Sequence, residues 1–263
     1  MMNSELMTVA VCWEIGASVS VEYARNNAAL FYFCPEPNCL EPVIPVQGKV
    51  NIFFRAPGRH VSGCVHEKET TQASAFSGKR SVFPVATPPD IVPSHLGMVP
   101  VVSRRAMPTR AQMLALVHQV RISPVIHPGT LQEVVNAWRA MSVSERHQYQ
   151  LTIANQKTSY FNAFTLLSQA GGNLSAVNNS SIASGPASVE AYESVFFIKT
   201  FHKFTDGVNR ARIRVTVRSK DACFAHLEHG QTLTLFLHTT PAINSKGSFF
   251  EIPPSTPYSG FVI

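Results

Sequence analysis

Residues 31–43, FYFCPEPNCLEPV, and residues 59–67, RHVSGCVHE, decide how the first quarter of this chain is read. Structural metal sites take four nitrogen or sulfur ligands in tetrahedral array, usually coded as a close pair, a gap and a second close pair. Here Cys34 and Cys39 make a C-x4-C pair and His60 with Cys64 an H-x3-C pair, with His66 near enough to be the fourth ligand in place of His60. Pro35 favours a tight knuckle in which backbone N–H groups point at a thiolate sulfur. The surrounding apolar runs, LFYF, PVIPV and VNIFF, are short and broken by Pro, Gly and Asn, so the segment is too small to hold itself by apolar burial alone. We therefore read residues 1–66 as a β-rich module stapled by a structural Zn²⁺, since the protein fills all four positions and no acidic residue stands out as a general base. Cys12 and Cys223 read as core residues.

Tyr32, Cys34, Pro35, Cys39, Val43, Gly48, Lys49, His60, Cys64 and His66 together resemble the zinc-ribbon-like amino-terminal segment of competence protein CoiA-like proteins. The resemblance implies zinc over that segment. Members of that family can carry a nuclease domain built on an acidic residue and an acid-x-Lys step, and no Asp or Glu of this chain has a Lys two residues on.

At 263 residues the chain has room for two or three domains of about 100 to 150 residues. A net charge of +6 permits attraction to polyanions without requiring it. The amino terminus has no basic run ahead of an apolar one, so no signal peptide is read, and no window nears the roughly 20 apolar residues of a membrane span. An odd count of 5 cysteines fits reduced thiols in a cytoplasmic setting better than a disulfide framework.

Further along, residues 67–107 are rich in Pro, Ser and Thr and read as a linker, with Phe83, Ile91 and Met98 as docking residues. Residues 108–169 read as a helical unit. Its first helix carries Met113, Leu114, Val117 and Val120 on one face, and its second is capped by Thr130 with Leu131, Val134, Val135 and Trp138 as its stripe. SERHQYQLTIAN, capped by Ser142 or Ser144, and SYFNAFTLLSQ would make two more. Residues 170–188 have the Gly, Ser and Asn content of a flexible connection, and residues 189–263 read as a small β barrel or sandwich. The fold class is thus α+β and multidomain.

Strict alternation in NRARIRVTVRSK puts Ile213, Val215 and Val217 on one face and Arg212, Arg214, Thr216 and Arg218 on the other. In VFFIKTFHKF, Phe197, Lys199, Phe201 and Lys203 alternate along one side. Positive charge that tracks phosphates beside rings that stack on bases is the chemistry of single-stranded nucleic-acid binding. The expected nucleic-acid residues are Lys199, Phe201, Lys203, Arg212, Arg214 and Arg218, with Phe197. His226–His229 reads as a polar turn, and no P-loop, dinucleotide-binding or nucleophile-elbow motif occurs, which points away from an enzyme. The alternatives are a protein-interaction adaptor with structural zinc and a CoiA-like nuclease.

Overall fold

The computed structural model describes residues 6–48, 51–67, 91–99, 106–122, 127–167, 172–221 and 224–263. With about 39% strand and 19% helix in several sheets, the protein is mixed α/β. It divides into two compact units, residues 1–140 and residues 141–263. That division falls inside the segment 108–169 expected as one helical unit.

Unit 1 is built on an antiparallel sheet of β1 (Val9–Cys12), β2 (Ala17–Ser20), β3 (Tyr32–Phe33), β4 (Pro42–Gln47) and β5 (Ile52–Arg55), in the order β2-β1-β3-β4-β5. Helix α1 (Val21–Asn26) starts where the Ser20 hydroxyl accepts the Tyr23 N–H. Strands β6 (His95–Leu96) and β7 (Pro128–Gly129) form a short parallel pair. The β6 strand and buried Leu96 lie within the segment expected as a linker, where Ile91 is half-buried and Met98 exposed. Residues 68–90 and 100–105, with Phe83, lie outside the described residues, as does Cys223.

Helix α2 (Arg110–Ile122) packs Met113, Leu116, Val117 and Val120 against Val11, Phe33 and Leu40 of the sheet and its loops. The amino-terminal module therefore does not rely on its own 66 residues; α2 supplies the second layer of its core. Leu116, not Leu114, is the buried partner, because positions 113, 116, 117 and 120 follow the i, i+3, i+4, i+7 stripe. Helix α3 (Leu131–Ala140) opens on a reciprocal cap in which the Glu133 N–H donates to the Thr130 hydroxyl and the Thr130 N–H donates to the Glu133 carboxylate. Leu131, Val134 and Val135 are buried and Trp138 is half-buried.

Unit 2 opens on α4 (Val143–Gln148), capped by Ser142 in a full capping box with Glu145. The expected third helix stops there. QLTI becomes β8 (Gln150–Ile153), paired with β9 (Gln156–Ser159) through Ala154 and Asn155, both at positive φ as a tight hairpin turn requires. The expected fourth helix is one turn, α5 (Tyr160–Ala163), after which the chain extends into β10 (Phe164–Leu166).

The main sheet contains β10, β11 (Ile182–Tyr192), β12 (Val195–Thr205), β13 (Arg210–Arg218), β14 (Thr232–His238), β15 (Ala242–Ile243), β16 (Phe249–Glu251) and β17 (Gly260–Val262). Its order is β15-β16-β13-β12-β11-β14-β17, with β10 beside β11, and it does not close into a barrel. The central strand β11 is the largest departure from the sequence reading, because residues 182–188 had the composition of a connection. Its small residues serve close packing: a side chain at Gly185 would meet the Leu167 Cβ at 2.9 Å. One sheet face buries Ala187, Val189, Ile198, Phe204, Ile213, Val215, Val217 and Phe250 as the core of the unit.

Candidate metal centre

The strand order brings the two Cys/His pairs together. Because β3, β4 and β5 are antiparallel neighbours, the β3–β4 connection and the chain leaving β5 emerge at the same end of the sheet. Cys34 directly follows β3, its N–H donating to the Glu41 carbonyl at 2.9 Å. The loop then folds back through Cys39 N–H to the Glu36 carbonyl at 2.9 Å, and Leu40, at φ 56°, turns its side chain into the core. Beyond β5, Arg59 and Gly63 take positive φ, and the Cys64 N–H donates to the Val61 carbonyl at 3.0 Å, which holds His60 and Cys64 on one tight turn.

The ligand atoms of Cys34, Cys39, His60 and Cys64 all lie within 4.8 Å of one another, and all four residues are buried. Cys34 Sγ to Cys64 Sγ is 3.8 Å, and His60 Nδ1 lies 3.4 Å from Cys39 Sγ and 3.6 Å from Cys64 Sγ. A tetrahedral ion with metal–sulfur bonds of about 2.3 Å and a metal–nitrogen bond of about 2.05 Å has S–S edges of about 3.8 Å and S–N edges of about 3.5 Å. The three measured edges match it. They also exclude a disulfide, whose sulfurs are about 2.05 Å apart. These four side chains can hold a metal ion.

Burial pushes the Cys34 thiol well up, with the Cys39 and Cys64 sulfurs beside it adding to the shift. Burial raises Cys64 as well. Two backbone amides oppose this: the Glu36 N–H points at the Cys34 sulfur and the His66 N–H at the Cys64 sulfur, the latter at 3.5 Å. Each cysteine thus accepts from the residue two positions on, the knuckle that Pro35 suggested. A divalent cation held here would supply positive charge that keeps these sulfurs as thiolates. Cys12, in contrast, is a core thiol pushed up to about 12 by burial.

His60, and not His66, aims a ring nitrogen into the cluster. The His66 ring packs beside that of His60 with centroids 5.8 Å apart, and the His66 backbone N–H donates to the Cys64 sulfur at 3.5 Å. If an ion is loaded into the cluster, we expect His60→Ala to lose it and His66→Ala to keep it, as metal analysis of the two variants would show; the reverse result would exchange their roles.

Two residues that sequence reasoning missed secure the knuckle from α2. Arg110 Nη2 donates to the Asn38 carbonyl at 2.9 Å, and Arg121 Nη2 donates to the Pro35 carbonyl at 3.1 Å while lying 3.6 Å from the Glu36 carboxylate. The signal was present in their spacing, since eleven residues are about three helical turns and bring both arginines to one face.

No family model, curated protein or solved structure matches this chain. Nothing in those comparisons identifies a CoiA-like family.

Of the residues expected to meet nucleic acid, Lys199, Lys203, Arg212, Arg214 and Arg218 lie on the outer face of β12 and β13, opposite the core. The pairing register sets Lys199 against Arg214 and Lys203 against Arg212, with Arg218 exposed at the end of β13. Lys199 is ion-paired with Glu190 and Arg214 with Glu251. The Arg214 guanidinium also lies 4.4 Å from the Phe249 ring centroid and 5.2 Å from that of Phe197. These two cations are held within the sheet surface. A register shift between Lys199 and Lys203 puts Phe201 in a bulge, where with His202 and Lys203 it makes three consecutive exposed residues. In the 226–229 turn the His229 Nδ1 accepts the Ala191 N–H at 3.2 Å.

Proposed function

We propose that Cys34, Cys39, His60 and Cys64 hold one structural Zn²⁺, and that the protein is a non-enzymatic module binding single-stranded nucleic acid on the outer face of unit 2. Three thiolates and one imidazole in a closed tetrahedral set suit zinc, and with every position filled by protein no open site remains for substrate. The likeness of residues 32–66 to the CoiA-like ribbon agrees with zinc and carries no activity with it.

The nucleic-acid reading rests on the Lys203–Arg212 pair. Like charges directly opposite on a sheet are unfavourable. Among the described residues, the Lys199–Arg214 pair has Glu190 and Glu251 to offset it, whereas Lys203 and Arg212 have no carboxylate within ion-pair distance. A phosphate between them would relieve the repulsion, and Phe201, 42% exposed beside them, offers a ring for a base. Arg218 extends the charge along β13.

Titration of fluorescent single-stranded DNA, duplex DNA and RNA at two salt concentrations tests this. Binding should prefer single strands and weaken with salt, and Lys203→Ala with Arg212→Ala should flatten the log–log salt dependence by about 0.7, the value for the one phosphate they share on a single strand. An unchanged slope would remove the site assignment, and absence of binding at low salt would favour the protein-adaptor alternative.

A further inference from the structure

Strand β16 pairs with β13 only over Arg212–Arg214, and the next residues, Ile252, Pro253 and Pro254, leave the ladder because proline has no N–H to give it. Val215–Arg218 therefore have β12 on one side and, among the described residues, no strand on the other. The sheet order puts β16 and β17 five strand spacings apart, about 24 Å if flat. Residues 252–259 join them, of which 256–259 are a turn closed by Thr256 N–H to the Ser259 carbonyl at 3.0 Å. Phe261 of β17 lines the same cavity as Arg214–Arg218 of β13, so the sheet curls, bringing its two ends towards each other without joining them.

The open seam is a groove of about 490 Å³ bordered by β13 from Arg214 to Arg218, by residues 251–255 and by Phe261 of β17, with Phe224 stacked on Phe261 at a centroid distance of 6.0 Å. We infer that this groove takes an extended peptide, which adds as a strand to the edge of β13 from Val215 to Arg218, where the free stretch ends because the Arg218 carbonyl accepts the N–H of Asp221, also in the lining, at 3.2 Å. A row of backbone donors and acceptors in a groove is matched best by another backbone. Phe224, Phe261 and Ile252 favour β-branched side chains in the peptide. Arg218, exposed and with no ion pair to a carboxylate among the described residues, favours an acidic residue at one end, whereas Arg214 is already matched by Glu251. The inference goes beyond nucleic-acid binding, which turns on Lys203 and Arg212.

The test uses the full chain and a fluorescent peptide, acetyl-Thr-Val-Thr-Val-Glu-amide. Saturable binding is expected, with backbone amide shifts concentrated at Val215–Arg218. Methylating the central amide nitrogen of the peptide should raise Kd about tenfold or more. Arg218→Glu should reverse the preference, selecting the same peptide with Lys in place of Glu. No saturable binding, shifts elsewhere, or equal affinity for the methylated peptide would overturn the inference.

Discussion

Cys64→Ser should release the metal and unfold unit 1 while the sheet of unit 2 persists. Structural zinc contributes on the order of 10–16 kcal/mol of apparent binding free energy in small modules, comparable to or larger than the whole stability of a domain at about 5–15 kcal/mol. The Phe33, Leu40 and α2 core is anchored to the knuckle through Arg110 and Arg121, so loosening of the loop spreads into the helix. The chain has 2 tryptophans, Trp13 and Trp138, both in unit 1. Their emission should therefore shift red in the variant, or on chelation, while the β-sheet circular dichroism of unit 2 remains. An unchanged tryptophan spectrum after verified metal loss would show that the ion does not hold the unit together.

Phe204→Ala should cost unit 2 about 3–5 kcal/mol, the range for emptying a fully buried phenylalanine site. Phe204 is 1% exposed and stands opposite Ala211 just past the bulge, so it ties the displaced part of β12 back into register. Phe201, three residues earlier and exposed, should change stability by less than about 0.5 kcal/mol when replaced by Ala. Urea unfolding of the two variants measures the contrast. Similar losses for both would mean that the bulge is not where the core begins.

The Cys/His cluster was legible because its signal is local: each pair lies within a single loop, and the spacing of soft ligands carries the chemistry. Its fourth ligand was not, since His60 and His66 flank Cys64 alike in sequence and only the turn at Arg59–Gly63 decides which ring faces inward. The arginine strand was legible by alternation, and burial of Ile213, Val215 and Val217 follows it. What composition hid was β11, whose Ala183, Ser184, Gly185 and Ala187 resemble a linker but are small because the strand packs against Leu167 and two neighbouring strands. Nor does a single sequence give strand register, and register is what matched Lys199 with Glu190 and Arg214 with Glu251 while leaving Lys203 facing Arg212.

The central claim is that Cys34, Cys39, His60 and Cys64 hold zinc. Its most direct test is metal quantification with zinc X-ray absorption on protein purified without added zinc. The account predicts about one zinc per chain, with three sulfurs near 2.3 Å and one nitrogen near 2.0–2.1 Å. Folded protein without metal, or zinc in an oxygen-rich shell, would contradict it.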